Sequence, residues 1–213
     1  PSAVDTEKYS PVKARTRLAE VTGLKSSAFM IGIVAQLISR KGHAMLFECL
    51  PELFSRFPQA RLLCFGQGPL EDKLRKDVLN RNLASHVKFL GFRADLPYLM
   101  PELDLLVHPA RQEGLGVAVM EAMSSGVPVI TSTAGGMTDL LDHEVHGPTF
   151  VSGDRSGILN AMVRMLSDAC RLYTFDAADH SSRCCGVEGR NSTNKCTNVS
   201  PRYLYAPRLS AVE

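Results

Sequence analysis

The chain has no tryptophan, and aromatic residues make up only 7% of its 213 positions. That scarcity argues against a recognition surface built from an aromatic cage or from stacked rings. Charge of one sign is also scarce: 24 Lys and Arg face 22 Asp and Glu, a formal net charge of +2. So thin a surplus makes no basic face, and nucleic acid is not the expected partner. No apolar run approaches the ~20 residues that span a bilayer, and residues 1–8 carry no signal-like apolar stretch. Cys-x-x-Cys pairs are missing, which removes the usual zinc-site spacing. What is present is ordinary, with 45% hydrophobic and 22% charged residues, enough for one sizeable core.

The cysteines divide the chain. Cys49 and Cys64 lie in apolar segments, where a free thiol is a small hydrophobe, so the core reads as cytosolic with reduced thiols. Cys170, Cys184, Cys185 and Cys196 all follow residue 168, in a stretch rich in Ser, Asn and Arg without helical or strand spacing. Asn191-Ser192-Thr193 and Asn198-Val199-Ser200 are formal glycosylation sequons, but without a secretory signal they carry little weight.

Between residues 29 and 168 short apolar runs alternate with amphipathic stretches. The spacing predicts strands at Met30–Ala35, Arg61–Phe65, Val87–Phe89, Asp104–His108, Val127–Thr131 and Thr149–Val151. Helices are expected at Ala44–Phe57, Leu70–Asn82, Ala94–Met100, Gly116–Ser125, Met137–Asp142 and Ser156–Ser167. That alternation argues for βαβ units on a parallel sheet. Leu103-Asp104-Leu105-Leu106-Val107 is too apolar for a strand with one wet face, so helices should cover both sides. Right-handed crossovers then give one doubly wound α/β, Rossmann-like domain of about six parallel strands, with ligands beyond the strands' carboxyl ends. Residues 1–28 read as a linker and an amphipathic lead-in helix, with Val12, Leu18 and Val21 on one side and Gly23 ending it. Residues 29–168 form the domain and 169–213 an atypical tail.

Glycine-bearing turns follow five of the strands, at Gly42, Gly66-Gln67-Gly68, Gly91, Gly114-Leu115-Gly116 and Gly135-Gly136. Each alone serves a tight βα turn; clustered at one rim, they let backbone amides approach a phosphate-bearing ligand. Arg40 and Lys41 add positive charge there. Familiar alternatives fail: Gly66-Gln67-Gly68 lacks the third glycine of a dinucleotide fingerprint and follows the second strand, and no GxxxxGK[ST] loop occurs. His143-Glu144-Val145-His146 has the wrong spacing for a helical zinc pair, and Ser124-Ser125-Gly126 is no nucleophile elbow. In Glu113–Ala122 two carboxylates, Glu113 and Glu121, flank seven residues. Read as one at a helix entrance and one two turns in, they stand ~12 Å apart along the axis. That is too far for an acid/base dyad on one bond but suits two parts of an extended ligand, such as a sugar and a ribose. The plainer alternative has Glu113 favouring a helix N-terminus and Glu121 facing water. Glu121 sits among Val119, Met120, Ala122 and Met123, where a carboxylate needs a partner.

Glu113, Gly114, Leu115, Gly116, Glu121, Ala122, Met123, Gly126, Pro128 and Val129 together resemble the E-G-[FL]-G-x4-E-A-M-x2-G-x-P-V segment of the retaining GT-B glycosyltransferases of the large family four. Val4–Pro11 resembles that family's interdomain linker, Lys41-Gly42 its phosphate loop, Gly66–Leu70 its glycine-rich turn and Val87–Phe92 its base-proximal strand. Thr133–Gly136 and His146-Gly147 extend the match over roughly residues 4–168. The resemblance implies that Glu121 bonds the donor ribose, that Glu113 holds the donor sugar, and that Lys41 meets the diphosphate. Gly114, Leu115 and Gly116 would present amides, and Gln36, Arg40, Gly68 and Gly91 would complete the donor site. It implies a UDP-, GDP- or ADP-sugar donor and neither cofactor nor metal. The acceptor, a glycan, lipid or small molecule, would sit on a separate N-terminal domain. A full-length protein of this kind would be cytoplasmic, with room for peripheral membrane association. The family usually has Arg where this chain has Gln36, and Arg40 stands as its replacement. Because the match begins at the linker, the chain is expected to bind donor without transferring sugar alone. A nucleotide-sugar-binding module without activity and a GT-B nucleotide-sugar epimerase are the alternatives.

Overall fold

A computed structural model of the chain describes residues 4–11, 16–25, 27–140 and 147–167. The expectations for the tail and for His143–His146 lie outside the described residues.

Six strands form one sheet: β1 (Phe29–Val34), β2 (Ala60–Phe65), β3 (Val87–Gly91), β4 (Leu105–His108), β5 (Val129–Ser132) and β6 (Thr149–Phe150). Their order across the sheet is β3-β2-β1-β4-β5-β6, and every pairing is parallel. The chain thus winds outward from β1 in one direction and from β4 in the other, which makes the β1/β4 seam the topological switch point.

The doubly apolar strands are explained by what covers them. Ile31, Ile33, Leu62, Cys64, Leu105 and Val107 enter one core with helices α2 (His43–Arg56), α3 (Glu71–Asn80) and α7 (Arg155–Ser167). Met30, Leu63, Phe65 and Leu106 point the opposite way, as a period of two requires. They meet α1 (Arg17–Thr22), the Leu99–Leu103 turn and α5 (Val117–Ser124) in a second core. Cys49 and Cys64 are both buried free thiols, and burial pushes Cys49 up to about 11.

Element ends differ from the spacing where a local cause exists. The expected helix at Ala94–Met100 shrinks to α4 (Leu96–Leu99) followed by a 3-10 turn, Met100–Glu102, because Pro97 and Pro101 each lack an N–H. Asp104 leaves the strand: its carboxylate accepts the Met30 N–H at 2.8 Å. The Met137 helix, α6, is described over Met137–Leu140. In α1 the buried face is Leu18 and Thr22, one turn apart, and Val21 is exposed; Val12 lies outside the described residues. Glu102 fixes that helix by accepting the Arg17 and Leu18 N–H groups at 3.1 and 2.7 Å.

Candidate functional site at the β1/β4 switch point

Loops leaving the carboxyl ends of the strands are laced into a continuous rim. The Leu37 amide donates to Gln67 O, Leu70 to Leu37 O, and Gly66 to Gly91 O, which joins the loops after β1, β2 and β3. Across the seam, the Arg111 amide donates to Arg40 O at 2.7 Å. Gly42, at φ +77°, lies so close to the Pro109 carbonyl that any Cβ would collide with it. Gly135, at φ +57°, backs onto the Glu113 carbonyl in the same way. Both glycines are therefore required by backbone contact between neighbouring loops.

That contact creates a charged cluster. Lys41 ends the short 3-10 turn Ser39–Lys41 after β1, and its Nζ donates to Glu113 Oε2 at 2.5 Å. His108, the last residue of β4, brings Nε2 to the same oxygen at 2.7 Å. The other oxygen, Oε1, accepts the Gly114 amide at 3.1 Å. Side-chain exposures of 14%, 10% and 3% for Lys41, Glu113 and His108 show that the cluster is largely sheltered. The hydrogen bond from His108, then that from Lys41, holds the Glu113 carboxyl far below the usual range against an opposing burial penalty. An ionised carboxylate only accepts, so the proton lies on His108 Nε2. Behind the cluster His43 is buried, and neither of its ring nitrogens has a hydrogen-bond partner among the described residues. Burial, with His108 and Lys41 nearby, lowers it to about 4, so it is neutral at pH 7.

Glu113 is not at a helix entrance. The helix begins at Val117, capped by Gly116 at φ +58°, and Glu113 stands in the loop before it. The axial distance read from the sequence therefore does not apply to Glu113. Glu121 does lie inside α5, half-buried, and its partner is a residue the spacing did not single out. The Tyr9 hydroxyl bonds to it and lowers its carboxyl, as Lys8 does, but burial outweighs both and the net shift is upward. Tyr9 is itself anchored, since Ser124 Oγ donates to the Tyr9 carbonyl at 2.6 Å.

Among the expected site residues, the structure brings together Lys41, Glu113 and Gly114. Arg40 and Leu115 are exposed at the rim, and Gly116 is buried at the start of α5. Gln36 is exposed, and no hydrogen bond among the described residues joins it, Gly68, Gly91 or Glu121 to the cluster. His108, His43 and Tyr9 were missed. For His108 the signal was legible: a polar residue closing an otherwise apolar buried strand points at the ligand edge of such a sheet. A cleft of about 740 Å³ runs between α2 and α3 past Ser39, His43 and Arg111, but neither Lys41 nor Glu113 lines it.

Comparison with known proteins decides the family. The profile of the glycosyl transferases of group 1 matches residues 28–168. The chain belongs to that family. It is 30% identical over 172 residues to an Escherichia coli UDP-Gal:alpha-D-GlcNAc-diphosphoundecaprenol alpha-1,3-galactosyltransferase, covering 79% of this chain and 44% of that protein. A GDP-mannose-dependent alpha-(1-6)-phosphatidylinositol monomannoside mannosyltransferase of Mycolicibacterium smegmatis is 32% identical over 188 residues, covering 84% and 49%. Among solved structures, Anabaena HepE in complex with UDP and glucose superposes with a TM-score of 0.75 at 28% identity, over 84% of this chain and 50% of that one. The C-terminal domain of a group 1 glycosyl transferase from Francisella tularensis, at 23% identity, shares the fold with a TM-score of 0.75 over 84% of this chain and 97% of its own length. The domain has the Rossmann-like α/β fold of the GT-B glycosyltransferases, consistent with the C-terminal domain of one. The chain spans about half the length of the curated relatives it matches. No helix among the described residues is long and apolar enough to cross a membrane.

Proposed function

We propose that this chain is the donor-binding half of a retaining glycosyltransferase that moves a hexose from a nucleoside-diphosphate sugar to a hydroxyl acceptor. The observation that carries the reading is the Lys41–Glu113 ion pair at the switch point of a group 1 glycosyl transferase domain. Lys41, with Arg40 in place of the missing cation at Gln36, meets the diphosphate. The Gly114, Leu115 and Gly116 amides add positive potential at the start of α5. Glu113 grips the donor sugar's hydroxyls and Glu121 the ribose, while Gly68 and Gly91 let the donor approach the rim. Such charge stabilises the departing nucleoside diphosphate as the sugar gains oxocarbenium character, with no metal in the scheme. UDP, GDP and ADP sugars are all candidate donors. By their names, both curated relatives act on lipid-linked acceptors, so a lipid-linked acceptor and peripheral membrane association are assigned to the full-length protein.

Calorimetric titration with UDP, GDP, ADP and NAD tests the donor reading. One of the three diphosphates should bind and NAD should not; tight NAD binding with none from the others overturns it. A second reading, a nucleotide-sugar-binding module without turnover, is separated from the first by offering radiolabelled UDP-glucose and GDP-mannose with an acceptor panel: glycoside formed at several turnovers per minute refutes it, and donor binding without glycoside supports it.

A further inference from the structure

We propose that His108 is a positioning residue of the sugar-gripping site: its imidazole keeps the Glu113 carboxylate in place when Lys41 turns from that carboxylate to the ligand's phosphates. The inference rests on the donor reading above and deepens it. Glu113 Oε2 has two clamps, Lys41 Nζ at 2.5 Å and His108 Nε2 at 2.7 Å. The two clamps differ mechanically. Lys41 ends a flexible four-carbon stem on a loop, carries three N–H donors and is a point charge that any diphosphate attracts. His108 is the last rung of a buried strand, paired in register with Thr131 of β5 and 2% exposed, so its ring cannot follow a ligand.

A diphosphate entering the rim competes with Glu113 for the one ammonium between them. Once Lys41 is shared, Glu113 would lose its position if Lys41 were its only hold. It sits in a loop between exposed Gln112 and Gly114, and a Cβ at Gly114 would meet nothing within 4 Å. Its main chain is held on the other side, where Gly135 backs onto the Glu113 carbonyl, so what Lys41 and His108 fix is the side chain beyond it. His108 Nε2–H then remains as the fixed donor to Oε2. Oε1, held by the neighbouring Gly114 amide at 3.1 Å, is the oxygen left to accept a sugar hydroxyl. Lys41 can be drawn away only because His108 stays.

The test compares the preference for sugar nucleotide over nucleoside diphosphate, a ratio that general destabilisation leaves unchanged. Dissociation constants for UDP, UDP-glucose, GDP, GDP-mannose, ADP and ADP-glucose are measured by calorimetry on the wild-type chain and on His108→Leu, His108→Gln and His108→Asn. The wild type should prefer one sugar nucleotide to its diphosphate, and His108→Leu should cut that preference about tenfold, the scale of one charged hydrogen bond. Affinity for the diphosphate alone should change less than about threefold. His108→Gln places an amide nitrogen where Nε2 stands and should restore the preference; His108→Asn stops at the Nδ1 position and should not. If His108→Leu fails to fold, the Gln and Asn pair decides. Equal loss of diphosphate and sugar nucleotide, or an unchanged preference, overturns the positioning role and leaves the donor reading standing. Absence of binding to all six ligands by the wild type overturns the donor reading, and this inference with it.

Discussion

Glu113 and Glu121 lie eight positions apart in one short segment, yet they occupy opposite electrostatic settings. Glu113 faces an ammonium and an imidazole N–H, and these hold its carboxyl far below the ordinary range. Glu121 is half-buried on α5 against a tyrosine hydroxyl, and burial pushes its carboxyl up. The first carboxylate is committed to charge before any ligand arrives. The second is held in a setting that tolerates its neutral form. Two acids in one motif thus play different physical parts. Glu113 anchors a charged cluster, and Glu121 offers an oriented hydrogen-bonding edge.

Acid separates the two regions most strongly. His43, beside the Glu113 cluster, has a folded value of about 4 against 6.5 for an unhindered imidazole. Its lowered value means that the unfolded chain takes up the proton first. The stability it contributes is complete above pH 6.5 and is lost as pH falls toward 4, by roughly 3 kcal/mol. Glu113, also lowered, adds a loss of the same sign below its unfolded value. Glu121, raised, acts in the opposite sense and favours the folded state as pH falls through its folded value. Urea midpoints of the wild type should therefore drop between pH 6.5 and 4, and His43→Leu should flatten that slope. An identical slope in the variant would remove His43 from the account.

Neutral isosteres give the next largest contrast. Glu113→Gln leaves the Lys41 ammonium without its counter-ion and should cost about 2 kcal/mol of stability at pH 7, the scale of a sheltered charged hydrogen bond. In ligand titrations it should weaken sugar nucleotide more than nucleoside diphosphate. Glu121→Gln should change stability by under about 0.5 kcal/mol, because the site already disfavours charge. It should instead weaken nucleoside diphosphate and sugar nucleotide alike by about 1–2 kcal/mol. Denaturant curves and calorimetry on the two variants measure all four quantities; equal stability losses would erase the contrast between the carboxylates.

The smallest expected effect sharpens the Glu121 side alone. Tyr9→Phe keeps the ring against the second core and removes only the hydroxyl facing Glu121. It should cost under about 1 kcal/mol of stability, as for a single neutral hydrogen bond. A loss above about 2 kcal/mol, beyond what one such bond supplies, would mean that the ring itself has shifted.

Most of the sheet was legible because its signal is local. Runs such as Leu62–Phe65 and Leu105–His108 are apolar on both faces, and only a sheet covered on both sides satisfies them. Proline and glycine could be read as punctuation in the same way, although the spacing alone did not show that Pro97 and Pro101 would split a helix. The clustering of glycines beyond the strands marked the rim, and Lys41 and Glu113 were visible as its charged residues. Three features were decided only by the tertiary structure. Glu113 and Lys41 are 72 positions apart and form a pair only because β1 and β4 are neighbours at the seam where the winding reverses. His108 joins them because the end of a buried strand delivers its ring to that seam. Tyr9 reaches Glu121 from well over a hundred residues away because the segment before the domain lies on α5. Sequence alone determines which faces must be buried, since burial follows a short-range period. Which charge meets which depends on the order of strands in the sheet, and that order is set by the packing of the whole domain.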